Sequence, residues 1–469
     1  MFVHQFFVKG LAHSSYLLGG TTTCAIIDPR RDIEVYIHAA RAMGMKITHI
    51  LETHLHADFI SGHTDLAAQT GAVIYAPKAG TCAFKHSAVA EGDTFEIEDM
   101  TIGVLETPGH TPEHVSYVVT DRSRGSDPAA VFCGDTLFVG DVGRPDLFPG
   151  IAESLAARLY DSLHKKLLSL PPVCAVYPAH GAGSLCGRAM GAMRTSTIGY
   201  EKKYNGALKI KDKKKFIETL TTNMPPAPDH FSRCSAVNGK GPALVDKLPP
   251  LKALEPVEFK KRMRQKNTIV LDCRPSAAFG GGYVPGSYHI DFGSNFSTFA
   301  GWILPHGMQL LLVTENPEQA ADAIVLLRRV GHDRITGFLD GGIYEWAKAG
   351  FAFDTVPQLS VQNLHAQMQR RERFTLLDVR TAREFEAGHI EGAVNIPMPD
   401  LRSRFKEIET SLPAVVICNT GHRSSMGASL LKQRGFKYVL NVAGGMTAYA
   451  AAGFAGACAL CTQLHGPRV

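Results

Sequence analysis

The sequence predicts a multidomain α/β protein whose last two domains are copies of one another. The chain has 469 residues, too many for a single hydrophobic core, so roughly two to four domains are expected. Short β-like apolar runs alternate with helical patterns along its length. The second half contains a repeat of roughly 100 residues, the size of one domain.

The first segment, residues 1–210, carries the runs CAIID, AVIY, VSYVV, AAVF and CAVYPAH, with helical stretches such as Ser154–Leu170 between them. A basic, proline-marked stretch over about residues 211–251 follows, with KIKDKKK, NMPPAPDH and DKLPPL. It reads as a connector with some structure of its own, its lysines forming a solvated face. The repeat then pairs IVLDCRPSAAFGGGYVPGSYHI (Ile269–Ile290) with LLDVRTAREFEAGHIEGAVNIP (Leu376–Pro397). It also pairs LDGGIYEWAKAGF (Leu339–Phe351) with VAGGMTAYAAAGF (Val442–Phe454). The copies take residues 252–355 and 358–456, leaving a tail at 457–469. Apolar strands alternating with helices in each copy predict a parallel sheet flanked by helices. The period is too long for a solenoid.

Composition narrows the function classes. Hydrophobic residues make up 45% and charged residues 20%, as in an ordinary globular protein. A net charge of +5 without a basic stripe argues against nucleic acid. No run approaches the ~18 apolar residues of a membrane span. The N-terminus MFVHQFFVKGLAHSSYLLGG does not read as a signal peptide. The ten cysteines are scattered, which suits reduced thiols and a cytoplasmic enzyme. The tail pair Cys458 and Cys461 is a lone C-x-x-C, a weak signal for metal or redox chemistry.

Four islands in the first segment offer metal ligands: THLHAD (His54, His56, Asp58), TPGHTPEH (His110, His114), FCGDTLF (Asp135) and YPAHG (His180). Each ends an apolar, strand-like run, where loops converge on one site. Together these motifs resemble the metallo-β-lactamase fold, which implies an αββα sandwich over about residues 1–200 with its metal at one edge. Two-metal members of that family carry a histidine directly after the aspartate; here the position is Phe59. A phenyl ring has no lone pair and opposes a hydrated ion, so one metal is expected.

Two histidines and a carboxylate with open positions suit Fe(II) that must bind substrate and O₂ together. The persulfide dioxygenase branch of the fold resembles that description. Its iron ligands fall on His54, His110 and Asp135, with His56, Asp58 and His180 orienting ligands or waters around them. In GDTLFVGDVGRPDL, Arg144 sits where the dioxygenases place an arginine near the thiol, suited to a glutathione carboxylate. Val142 stands where some members have a cysteine. A glyoxalase II-like thioester hydrolase shares the scaffold but needs a metal-bound hydroxide, usually from two metals. A one-zinc hydrolase fits the same ligands.

The last copy carries VVICNTGHRSSMGASLL. Cys418 follows a strand-like run and precedes a helix, so Asn419, Thr420, Gly421, His422 and Arg423 form a loop with Ser424 behind it. Inward N–H groups ahead of a helix N-terminus favour a thiolate and hold an anion, as a cysteine persulfide requires. His422 and Arg423 add positive potential. The copy resembles rhodanese, with Asp378 and Arg380 as scaffold residues bracing the loop. Four residues separate Cys418 from Arg423, one fewer than in the related phosphatases, and the smaller loop suits sulfur. The first copy has Thr314 at the nucleophile position, Pro317 without an N–H donor, and two glutamates that repel an anion. It is expected to be catalytically silent, a spacer or assembly surface; Cys273 lies too far upstream to replace Cys418.

The chain thus resembles a persulfide dioxygenase–rhodanese fusion in sulfide oxidation. The resemblance implies oxidation of glutathione persulfide with O₂ to sulfite at one Fe(II), and transfer of sulfane sulfur through Cys418 between thiol persulfide and sulfite or thiosulfate. Coenzyme A or bacillithiol offers the same thiol chemistry. A homo-oligomer is expected, without nucleic-acid or membrane partners. The alternatives are a glyoxalase II-like hydrolase fused to a sulfurtransferase, or a non-catalytic persulfide carrier or sensor.

Overall fold

The computed structural model describes residues 1–454 except Ala189, Asn223 and Ser294. Cys458 and Cys461 lie outside the described residues. The chain forms two compact units: Met1–Leu248 with Leu327–Gly331, and Pro249–Leu326 with the described residues from His332 onward.

The first unit is a sandwich of two six-stranded sheets. One runs in the order Phe2–Val8, His13–Gly19, Thr23–Ile27, Lys46–Leu51, Val73–Pro77 and Ser87–Val89; the other contains Met100–Glu106, Val115–Asp121, Pro128–Gly134 and Ala175–Pro178. Because strand side chains alternate, each strand feeds two cores. Leu18, Ala25 and Ile27 face Val104, Tyr117, Ala130 and Phe132 between the sheets. Their neighbours Leu17, Cys24 and Ile26 face Tyr36 and Ala40 of the helix Glu34–Ala42. On the far side, Val131 and Cys133 meet Leu159 of the helix Ala152–Asp161. This gives helix–sheet–sheet–helix layering, and the loops carrying the four histidine and aspartate islands emerge where the central strands end.

The stretch read as a connector folds largely into this unit. It forms the helices Lys213–Thr221 and His230–Lys240. Buried Asn238 donates to the carbonyls of His56 and Phe59 and accepts from the Ser61 N–H. One side chain thereby satisfies three backbone groups of the loop after Lys46–Leu51, groups that burial would otherwise leave without partners.

The second unit holds two five-stranded parallel sheets of identical topology. Gln309–Val313 and Ala414–Ile417 are central in their respective sheets, flanked by Thr268–Asp272 and Thr375–Asp378. Arg274 clasps Asp272 and the Gly282 carbonyl; Arg380 clasps Asp378 and the Gly388 carbonyl. The helix His422–Gln433 is buried almost throughout, from Ser424 to Leu431. One side lies on its own sheet; on another, Ser425 and Ser429 bond His289 of the first copy, and Lys432 pairs with Asp354. No helix among the described residues is long and apolar enough to cross a membrane.

Candidate metal centre and sulfur-transfer loop

His54, His110 and Asp135 are fully buried, and their ligating atoms lie within 4.8 Å of one another. Their hydrogen bonds set which nitrogen holds the lone pair. His110 Nδ1 is 2.9 Å from the Arg144 carbonyl, which only accepts, so Nδ1 carries the proton. Thr53 gives its single hydroxyl proton to Asp28, so its oxygen accepts from His54 Nδ1 at 2.9 Å. Both Nε2 atoms therefore present lone pairs. Neither has a hydrogen-bond partner, and they face Asp135 Oδ2 at 3.9 and 3.3 Å. Burial holds both imidazoles below their ordinary pKa. Two buried lone pairs and a carboxylate converging without a shared proton fit a cation.

The other candidate ligands point elsewhere. His56 turns its Nε2 toward Asp28 at 3.1 Å; burial opposes its charge, but Asp28 and Glu52 outweigh that and raise its pKa. His114 Nε2 accepts the Asp135 N–H, while its Nδ1 meets Thr107 and Thr136, so it braces the aspartate. Gly134, at φ +50°, passes where any Cβ would strike His114 and Thr53. His180 spans two carboxylates, Asp135 at 2.8 Å and Asp58 at 2.9 Å. Burial disfavours its charge, yet these carboxylates raise its pKa well above the ordinary value.

Two further close groups exist among the described residues, Asp58–His180–Cys186 and Asp28–Glu52–His56. In the first, both His180 nitrogens are engaged and burial raises the Cys186 thiol well above its usual pKa. Phe59 is fully buried, with ring centroids 4.1 Å from His13 and 4.5 Å from His56. It fills the position beside Asp58 with a dry ring. Phe59→His is expected to raise bound metal from one toward two equivalents, read by elemental analysis of the purified protein. Two equivalents already present in the wild type would defeat the one-metal reading.

Arg144 is buried, and four of its donor hydrogens are directed at protein acceptors. It forms a fork to Asp146 at 2.7 and 2.7 Å and reaches the carbonyls of Leu185 and Pro225. A substrate carboxylate would compete with Asp146 for this guanidinium. Its main-chain carbonyl is the group that orients His110.

In the second copy Cys418 is buried at the base of its loop. Its Sγ receives the Gly421 N–H at 3.2 Å and the Ser424 hydroxyl at 3.3 Å. The loop is turned inside out by its neighbours: the Cys418 and Asn419 carbonyls accept from the N–H groups of Met446 and Thr447. Gly445, at φ +54°, allows that approach, since a Cβ there would run into the Cys418 and Asn419 backbone. Arg423 is held by both oxygens of Glu384 at 2.6 and 2.8 Å. Burial opposes the Glu384 charge, but Arg423 outweighs it and brings the carboxyl down to about 2. His422 pairs with Asp291 of the first copy at 2.8 Å. Asn419, Thr420, His422 and Arg423 line a cavity over the loop. In the first copy, Thr314 occupies the end of Gln309–Val313 and bonds Asn316, while Cys273 is buried.

Glu384 and Gly445 were absent from the sequence-derived site. The glycine pair repeats in both copies as LDGG and VAGG, which signals a shared close approach. Thr381 and Glu384 form a capping box, so the acid serves both the helix start and Arg423.

The rhodanese-like domain family matches residues 255–349 and 360–452, and the metallo-β-lactamase superfamily matches residues 8–180. A hydroxyacylglutathione hydrolase of Rhodospirillum rubrum is 38% identical over 162 residues, covering 34% of this chain and 58% of the relative. The mitochondrial persulfide dioxygenase ETHE1 of Mus musculus is 30% identical over 187 residues, covering 38% of this chain and 67% of the relative. The crystal structure of a metallo-β-lactamase from Staphylococcus aureus matches with a TM-score of 0.64 and 34% identity, over 72% of this chain and 98% of that one. The chain therefore belongs to the metallo-β-lactamase superfamily through a domain homologous to persulfide dioxygenase, followed by two rhodanese-like domains.

Proposed function

We propose that the first domain is a mononuclear Fe(II) persulfide dioxygenase and that Cys418 is the nucleophile of a sulfurtransferase in the same polypeptide. The observation that carries the first half is Phe59, which replaces a ligand of the second metal site while His54, His110 and Asp135 converge. His54, His110 and Asp135 would hold the iron, which would supply persulfide binding and O₂ activation; overall one persulfide, one O₂ and one water give sulfite and the free thiol. His180 keeps a proton between Asp135 and Asp58, fixing the direction of the ligand carboxylate. Phe59 keeps water from the adjoining space. Glutathione is the preferred thiol.

In the second half, Cys418 Sγ attacks a sulfane sulfur. With thiosulfate, the S–S bond breaks, sulfite departs with the electron pair, and Cys418 becomes a persulfide. The Gly421 N–H and Ser424 hydroxyl, which bond Sγ, stabilise the thiolate that attacks and that leaves at the end of the cycle. A thiol takes the outer sulfur and regenerates the Cys418 thiolate. In reverse, a thiol persulfide loads Cys418 and sulfite removes the sulfur as thiosulfate.

The deciding experiment is O₂ consumption by Fe(II)-loaded protein given glutathione persulfide, beside a Zn(II)-loaded sample. Iron-dependent uptake with sulfite as product is expected. No uptake at full iron loading would favour the second reading, a thioester hydrolase. That reading draws on the 38% identity to hydroxyacylglutathione hydrolase and predicts turnover of an acylglutathione by the zinc form.

A further inference from the structure

The geometry points to Asn238 and Arg329 as positioning residues of the metal centre, a role that rests on His54, His110 and Asp135 being its ligands. Both come from outside the superfamily match at residues 8–180. Asn238 lies in the helix His230–Lys240. Arg329 lies within the rhodanese-like match at residues 255–349, yet its segment Leu327–Gly331 packs as part of the first unit.

Both residues grip the loop that carries His54, Asp58 and Phe59. The peptide joining Phe59 to Ile60 is held at each of its polar ends. Its carbonyl accepts from Asn238 Nδ2 at 2.8 Å, and its N–H donates to the Arg329 carbonyl at 2.7 Å. Asn238 bonds the chain on either side as well, donating to the His56 carbonyl at 2.8 Å and accepting from the Ser61 N–H at 2.9 Å. The Arg329 guanidinium forms a fork to Asp32 at 2.6 and 2.8 Å. Asp32 follows Pro29, whose carbonyl accepts from the Ser61 hydroxyl and the Gly62 N–H. Arg329 thus ties together the loop and the stretch on which the loop ends.

These bonds fix the backbone immediately after Asp58. From there two hydrogen bonds lead to a ligand: Asp58 Oδ2 meets His180 Nε2 at 2.9 Å, and His180 Nδ1 meets Asp135 Oδ1 at 2.8 Å. A displaced peptide at Phe59 would therefore turn the Asp135 carboxylate. It would also move the Phe59 ring that keeps the adjoining space dry. His56, Phe59, Ile60, Ser61 and Asn238 are all fully buried, so water is a poor substitute for a lost partner. Each positioning residue acts through the loop rather than on the metal.

The test is Co(II) titration of the metal-free full chain, read by visible absorption, which reports the ligand field as well as occupancy. Circular dichroism checks the fold. Asn238→Asp keeps the size and the acceptor for Ser61, but sets an oxygen against the His56 and Phe59 carbonyls. Arg329→Met keeps the carbonyl on Ile60 and removes the fork to Asp32. Asn238→Asp is expected to weaken Co(II) binding at least tenfold, within the ~10–100-fold range of groups that orient ligands. Its bands at saturation are expected to shift. Arg329→Met is expected to weaken binding at least threefold, with its bands shifted too. A folded Asn238→Asp with wild-type affinity, or with wild-type bands at saturation, overturns the proposal. Should that variant not fold, the same result for Arg329→Met overturns it. A wild type whose Co(II) spectrum is unaltered by Asp135→Ala overturns the ligand reading, and this one with it.

Discussion

Cys418→Ser is expected to abolish thiosulfate-to-thiol sulfur transfer, by on the order of 10³-fold or more, while leaving iron-dependent O₂ uptake in place. The loop gives the Cys418 sulfur two donor contacts and buries it, so the thiol is fixed at the base of the loop. A serine oxygen fits the same space, keeps the loop folded, and cannot hold a sulfane sulfur. Assaying both activities on one preparation checks this. Loss of both would break the two-centre reading, and survival of transfer would mean another nucleophile. A carrier or sensor predicts a different wild type: stoichiometric loading of Cys418 with sulfur and no turnover.

Asp135→Ala should have the converse effect. The side chain is the point on which the two lone pairs of His54 and His110 converge, and it is also one of the two carboxylates clasping His180. Its removal takes away one of the three candidate ligands and leaves His180 with one partner fewer. Groups that merely orient ligands cost about 10–100-fold in metal affinity when removed; a ligand should cost more. Iron content after dialysis and O₂ uptake should both fall to background, with sulfur transfer retained. Asp135→Asn keeps the shape and removes the charge, so it separates ligation from packing. Full iron retention in both variants would place the metal elsewhere.

The parts of these sites that were legible in the sequence are those written in contiguous residues. THLHAD, TPGH and GD put their donors at strand ends by local pattern alone, and the duplication declares itself by side-by-side likeness. Cys418 was legible because glycine and two basic residues are foreign to a core strand. The illegible parts are pairings across long stretches of chain. Nothing around Asn238 announces that it satisfies the backbone of His56 and Phe59, since the contact spans about 180 residues. His114 looks like a ligand in TPGHTPEH; only the position of the Asp135 N–H reveals it as a brace. The motif around Arg144 offers its guanidinium to a substrate, and it does not show that Asp146 and the Leu185 and Pro225 carbonyls also gather around it in space. Local sequence specifies which group is offered, and tertiary structure decides what it meets.

The small side chains along His422–Gln433 carry one more consequence. A helix covered by its own sheet and by the neighbouring repeat has no face on which to fold by itself. Cutting the chain between the repeats would bare that face to water and strip Ser425 and Ser429 of their His289 partners. The two repeats are therefore expected to unfold together, with the helix His422–Gln433 tied to both: a chain that lost the first repeat would lose part of the support of the second as well.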